Sequence, residues 1–246
     1  MRTFCLLSVL ASLAVPSLAL GAGLAHNHNF IVLAPDQPLA EDVLAEAEFF
    51  RKQVAKEWLG EELPPSVGPA VIHVQLSETE DSGLTWAIDS PGRKFHKLWI
   101  TTTRRGALGS TLGHEITHLV LATRFPDRLP AWAEEGAASL KDDQERIELR
   151  RRIIQWYART GNWPNLDTIF QARTVLASDQ ATYSVAASLT EYLLSRGDKA
   201  TFLRFAVAGK EKGWDFALQQ HYSVRSAHEL QATWQAWVSG AKARVP

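Results

Sequence analysis

Cysteine is almost missing from the sequence: Cys5 is the only one in 246 residues. It stands inside an apolar run at the N-terminus, too early and without the small preceding residues that a lipid-modified cysteine needs. The rest of the chain can therefore form neither disulfides nor thiolate metal sites. A surplus of charge is missing too. The chain holds 26 Lys and Arg against 27 Asp and Glu, a net charge of −1. That balance leaves no electrostatic footprint for nucleic acid or an anionic membrane. A basic cluster, Arg150-Arg151-Arg152, lies among Asp142, Asp143, Glu145 and Glu148. Asp142/Arg146 and Glu148/Arg152 have i,i+4 spacing, so the run reads as a solvated helix face. Beyond the N-terminus no segment is apolar enough to cross a bilayer. Internal repeats and low-complexity linkers are absent as well, and a chain that is 46% hydrophobic suffices for one domain with a sizeable core.

Arg2 followed by Phe4 to Val15 (FCLLSVLASLAV) has the charged start and apolar length of a signal peptide. Pro16 ends the run, and small residues follow it. Residues 1–25 are expected to be the leader, cleaved between Ala19 and Ala25, with residues 26–246 as a single domain. The chain is then exported, secreted or periplasmic, with no stable membrane insertion after cleavage. Near the new N-terminus, His26 and His28 raise the idea of a copper site, but a polar tail explains both more simply.

Phe30 to Ala34 reads as a strand and Pro38 to Leu59 as a helix stopped by Gly60. Alternation over Val71 to Leu76 gives another strand, and Thr85 to Asp89 with Phe95 to Thr101 a hairpin around Ser90-Pro91-Gly92-Arg93. Beyond Gly106 the pattern is helical, broken at Phe125 to Pro130 and at Gly161 to Pro164. The fold class is thus α+β, a small N-terminal sheet followed by a mainly helical part. Tryptophan is abundant, and rings of this kind can stack sugars. Trp58, Trp156, Trp234 and Trp237 sit at apolar-periodic positions, however, which points to core packing.

The chemistry centres on His114-Glu-Ile-Thr-His118. Residues i and i+4 of a helix share one face, so two imidazoles can address one ion while Glu115 reaches a water beside it. A catalytic zinc needs a third protein ligand. After a loop marked by Pro126 and Pro130 the chain restarts as AWAEEGAASL, holding Glu134 and Glu135. Sixteen residues separate His118 from Glu135. Two antiparallel helices with a short connection would return such a carboxylate to the histidines.

HEITH followed by LPAWAEEGAA resembles the gluzincin metallopeptidases, and in particular small secreted bacterial peptidase-MA-like proteins. The N-terminal FIVLAPDQPLAEDVLAEAEFFRKQVAKEWLG and the C-terminal TYSVAASLTEYLLSRGDKATFLRF and ELQATWQAWV are also similar to those proteins. The resemblance implies a zincin-like fold and a Zn2+ ion held by His114, His118 and Glu135, the glutamate next to the glycine. It implies Glu115 as the general base for a zinc-activated water that hydrolyses peptide bonds. Tyr183 occupies the place of a tyrosine whose hydroxyl stabilises the tetrahedral intermediate, with Tyr222 as a substitute. Ser139 stands where some gluzincins have an aspartate that orients a zinc histidine, leaving Asp142 or a backbone carbonyl for that task. The strand Lys97 to Thr103 is expected to line the cleft and pair with an extended peptide.

These readings converge on a secreted zinc metallopeptidase acting on a peptide or protein substrate. RRGALGSTLG ahead of the motif lacks the segment by which related aminopeptidases recognise a free amine, which favours an endopeptidase. The alternative is a non-catalytic binding or structural protein that keeps a zincin fold and its zinc site.

Overall fold

Three of five strands carry alternating buried and open side chains, and two helices cover the buried side of the sheet. A computed structural model describes residues 22–240 except 67, 91, 92 and 177. The expected leader up to residue 21, with Cys5, lies outside the described residues. The sheet comprises β1 (Gly23–His26), β2 (Phe30–Ala34), β3 (Ala70–Leu76), β4 (Ser82–Ser90) and β5 (Arg93–Thr102). Their order is β1-β2-β3-β5-β4. β2, β3 and β5 run parallel, whereas β1 and β4 pair antiparallel at the two edges.

The parallel step from β2 to β3 is made by α1 (Gln37–Leu59). Its ends follow from local chemistry. The Asp36 side chain accepts from the Leu39 N–H at 2.8 Å, Pro38 fits the first turn, and Gly60 closes the helix at φ 78°. Phe30, Val32, Ile72, Leu98 and Ile100 face inward and share a fully buried core with Leu39, Val43 and Val54 of α1.

The helical part follows as α2 (Arg104–Ala107), α3 (Ser110–Arg124), α4 (Ala131–Ala138), a 3-10 turn (Ser139–Lys141), α5 (Gln144–Thr160) and α6 (Leu166–Gln171). It continues with α7 (Gln180–Leu194), α8 (Lys199–Lys212), α9 (Trp214–Tyr222) and α10 (Ala227–Val238). Leu112, Ile116, Leu119 and Val120 pack one side of α3 into the sheet's core. The α+β arrangement expected from the sequence is what the chain adopts.

Four local expectations change. His26 ends β1, paired to Ile31, rather than lying in a polar tail. Antiparallel pairing of four residues, with Gly23 and Ala25 buried, holds it there. Among the tryptophans, Trp58 and Trp234 are core residues, but Trp156 and Trp237 are exposed. Of the arginine run, Arg150 is not solvated: it turns inward to an ion pair with Asp142. Finally, β5 is hydrogen-bonded on both sides, so the free edge beside α3 belongs to β4 and not to Lys97–Thr103.

Candidate metal centre

Sequence spacing puts His114, Glu115 and His118 on α3, and the structure brings Glu135 of α4 to the two histidines. The Nε2 atoms of His114 and His118 lie 3.2 Å apart. Glu135 Oε2 stands 3.6 Å from the first and 3.5 Å from the second. Bonds of about 2.0–2.1 Å to one tetrahedral ion place neighbouring donor atoms about 3.3 Å apart. The triangle of donors therefore matches the edge of a zinc tetrahedron. Glu135 Oε2 is also buried without a hydrogen-bond partner, an orphan that a cation would satisfy. Among the described residues these three form the His/Cys/Asp/Glu group able to hold a metal.

Glu135 is aimed by the anchoring of α4. Trp132, one turn earlier, is fully buried. Its ring centroid lies 5.2 Å from that of Phe170, 5.9 Å from Phe202 and 5.8 Å from Trp214. Gly136 lets α4 approach α7 closely, since a Cβ there would overlap the Thr190 hydroxyl and the Ala186 carbonyl. The loop before α4 is pinned by Lys210, whose Nζ donates to the carbonyls of Asp127 and Leu129 at 2.9 and 2.8 Å. Glu134 also lines the cleft, but a step of about 100° round the helix keeps its carboxylate out of the donor triangle. Burial pushes the Glu134 pKa up.

Behind the donors, His114 Nδ1 lies 3.0 Å from Asp142 Oδ1. The Asp142 side chain is fully buried and pairs with both Arg146 and Arg150. Of the two orienting groups open at the level of sequence, the structure supplies Asp142. Burial opposes charge on His114, but the Asp142 bond and the neighbouring carboxylates prevail and raise its pKa to about 10. Burial would raise Glu135, yet the charge of His118 first, and the proximity of both imidazoles, hold it well below the usual carboxylate range.

Glu115 points to the sheet edge. The Thr85 hydroxyl donates to Glu115 Oε2 at 2.5 Å. Gly83 leaves the space this carboxylate fills, because a Cβ at that position would overlap it. Neither Thr85 nor Gly83 is recognisable from sequence spacing; only the register of β4 against β5 puts them opposite α3.

Tyr183, on the first turn of α7, lines the same cleft of about 490 Å³ as the two histidines, Glu115 and Glu135. Burial first, and the Glu135 carboxylate next, hold its phenol far above the ordinary value, so the hydroxyl remains a proton donor. The Arg150 guanidinium sits 5.9 Å above its ring. Tyr222 is elsewhere, packed edge-on against Phe205 at 5.2 Å.

The arrangement therefore offers three converging metal donors, a carboxylate beside them and a phenol across a cleft. No protein-family model matches the sequence. No curated protein matches it either.

Proposed function

We propose that this chain is an exported zinc metallopeptidase of gluzincin type, a single zincin-like domain behind a cleavable leader. The observation that carries the reading is the donor triangle of His114, His118 and Glu135, with the buried Glu115 lining the same cleft. When bound, zinc supplies Lewis acidity, lowering the pKa of a water toward neutrality and polarising a carbonyl.

The chain's own residues do the rest. His114, held by Asp142 through Nδ1, would present Nε2 to the metal, and His118 and Glu135 would complete the set. Glu115 takes the proton of the attacking water on its carboxylate and passes it to the leaving nitrogen. Thr85 keeps that carboxylate in place through Oε2. The Tyr183 hydroxyl donates a hydrogen bond to the oxygen on which negative charge develops. β4, the free edge of the sheet, contributes Gly83, Leu84 and Thr85 to the cleft wall. An extended peptide adding to that edge would place its backbone beside Glu115. This suits internal peptide bonds, and an endopeptidase is the form of activity proposed.

The test is cleavage of a broad peptide library by the zinc-loaded protein, with Glu115→Gln as its partner. Cleavage by the wild type and at least a hundredfold loss in the variant, at equal zinc content, is the expected result. A fully loaded wild type that cleaves nothing would leave a zinc-holding binding protein as the better reading.

A further inference from the structure

The sheet has a second face, and it is apolar. The register joins Leu24, Leu33, His73, Trp99 and Leu84 into one continuous row across all five strands. A parallel row runs from His26 through Ile31, Val71 and Lys97 to Trp86. α1 and α3 lie on the opposite face, and these rows stay partly or largely open: Leu24 is 52% exposed, Leu84 61% and Trp99 40%. Ile88, in the next row opposite Phe95, is 43% exposed and extends the patch.

Single exposed apolar residues need no explanation, but a contiguous patch does. Five strands at about 4.8 Å spacing make the row about 19 Å wide. With its half-buried neighbours the face presents apolar surface on the order of 500 Å², close to the apolar share of one side of a standard protein interface.

Charge is nearly absent from the two rows. Lys97, their one lysine, lies 5.6 Å from the Trp86 ring and 5.5 Å from the Trp99 ring, so its cation is already engaged. The imidazole of His73 stacks on Trp99 at 4.9 Å with an interplanar angle of 12°. Burial and then the nearby Lys97 charge lower its pKa, favouring the neutral ring. Each indole thus already has a neighbour against its ring, His73 and Lys97 at Trp99 and Lys97 at Trp86, which suits an apolar partner better than a sugar stacked on an open ring.

We propose that this face is covered by a second copy of the chain, sheet against sheet about a two-fold axis. Self-association fits the patch: it has apolar area of the required size and no unengaged lysine, arginine or carboxylate in its two rows to repel an identical surface. A net charge of only −2 once the leader and its Arg2 are removed (25 Lys and Arg against 27 Asp and Glu) gives two copies little long-range reason to separate. Aligned sheets would meet at about 10 Å, with Leu24, Leu33, Val71 and Trp99 filling the space between.

The test is the mass in solution of the processed chain, by sedimentation over a wide concentration range. Wild type is expected at twice the chain mass. Leu24→Glu and Ile88→Glu, neither in the metal cleft, should weaken the dimer at least about a hundredfold when combined, because each buries an unpaired carboxylate. Zinc content and circular dichroism equal to wild type show that the variants are folded. A wild type that is monomeric throughout overturns the proposal, including the case in which a retained leader covers the face. A dimer that survives both substitutions overturns it too, since the interface must then lie elsewhere.

Discussion

His114 Nδ1 donates to Asp142 Oδ1 across 3.0 Å, although 28 residues of chain separate them. Because Nδ1 is committed to Asp142, Nε2 is the nitrogen left to face the Glu135 side of the cleft, and its lone pair serves a metal once the second proton has left. Arg146 and Arg150 hold the carboxylate in turn, so the ring's orientation rests on a buried ion network rather than on α3 alone. Asp142→Asn should lower zinc affinity about 10- to 100-fold while leaving the metal stoichiometry near one. Competition with a chromophoric chelator measures it, and an unchanged affinity would remove Asp142 from the site's support.

The same network predicts a proton balance. With its pKa raised to about 10, His114 in the metal-free protein still holds a second proton at pH 7. Zinc needs the lone pair that this proton occupies, so binding should release protons into the buffer. Calorimetry in buffers of differing ionisation enthalpy reads the number directly. For the metal-free fold the sign is the opposite of that for affinity. The His114 contribution to stability is complete below the unfolded value of 6.5 and is lost as pH rises through about 10, whereas zinc affinity grows over that interval.

Glu134 and Glu135 are neighbours with different environments, and a pair of conservative variants separates them. Glu135→Gln should weaken zinc binding sharply, because its Oε2 is one corner of the donor triangle. Glu134→Gln should leave metal content nearly intact. The reverse order of affinities would transfer the ligand role to Glu134.

At Glu115 the prediction concerns placement as well as identity. Gly83→Ala inserts a methyl into the space of the Glu115 carboxylate, so it should depress turnover with little effect on zinc content. Thr85→Val removes the hydrogen bond at Oε2 and should act in the same direction more mildly, within about tenfold. Rates and zinc occupancy measured side by side are the check. Normal turnover in Gly83→Ala would mean that the carboxylate works from another position.

Much of this was legible because it is periodic. The i,i+4 histidines need only a helix, and α1, β2, β3 and the hairpin follow from apolar repeats and from Gly60 and Pro38. Glu135 was reachable through the glycine beside it, and Gly136 now has a physical reason, the close approach to Thr190. What sequence hid was order in the sheet. Nothing local tells that β5 inserts between β3 and β4, so sequence proximity to the motif points to Lys97–Thr103 as the peptide-pairing strand although β4 holds the edge. Arg150 was hidden for a similar reason: i,i+4 charge spacing describes a helix in isolation, and the buried Asp142 lies outside that helix. β1 was invisible because its four residues adjoin an apolar N-terminal run whose composition masks them.

β1 also limits how the chain can be trimmed. Its backbone closes one side of β2, and Gly23 lies so near Asp36 that a larger residue would collide with it. A processing cut after Ala25 would leave β2 with a bare row of amide and carbonyl groups, the kind of open edge on which strands from other molecules grow. Protease specificity alone tolerates several positions between Ala19 and Ala25, but tolerance of the product does not. If the chain is processed as proposed, the product should therefore begin no later than Gly23, as sequencing of its N-terminus would report, and chains cut further in should be recovered as aggregates.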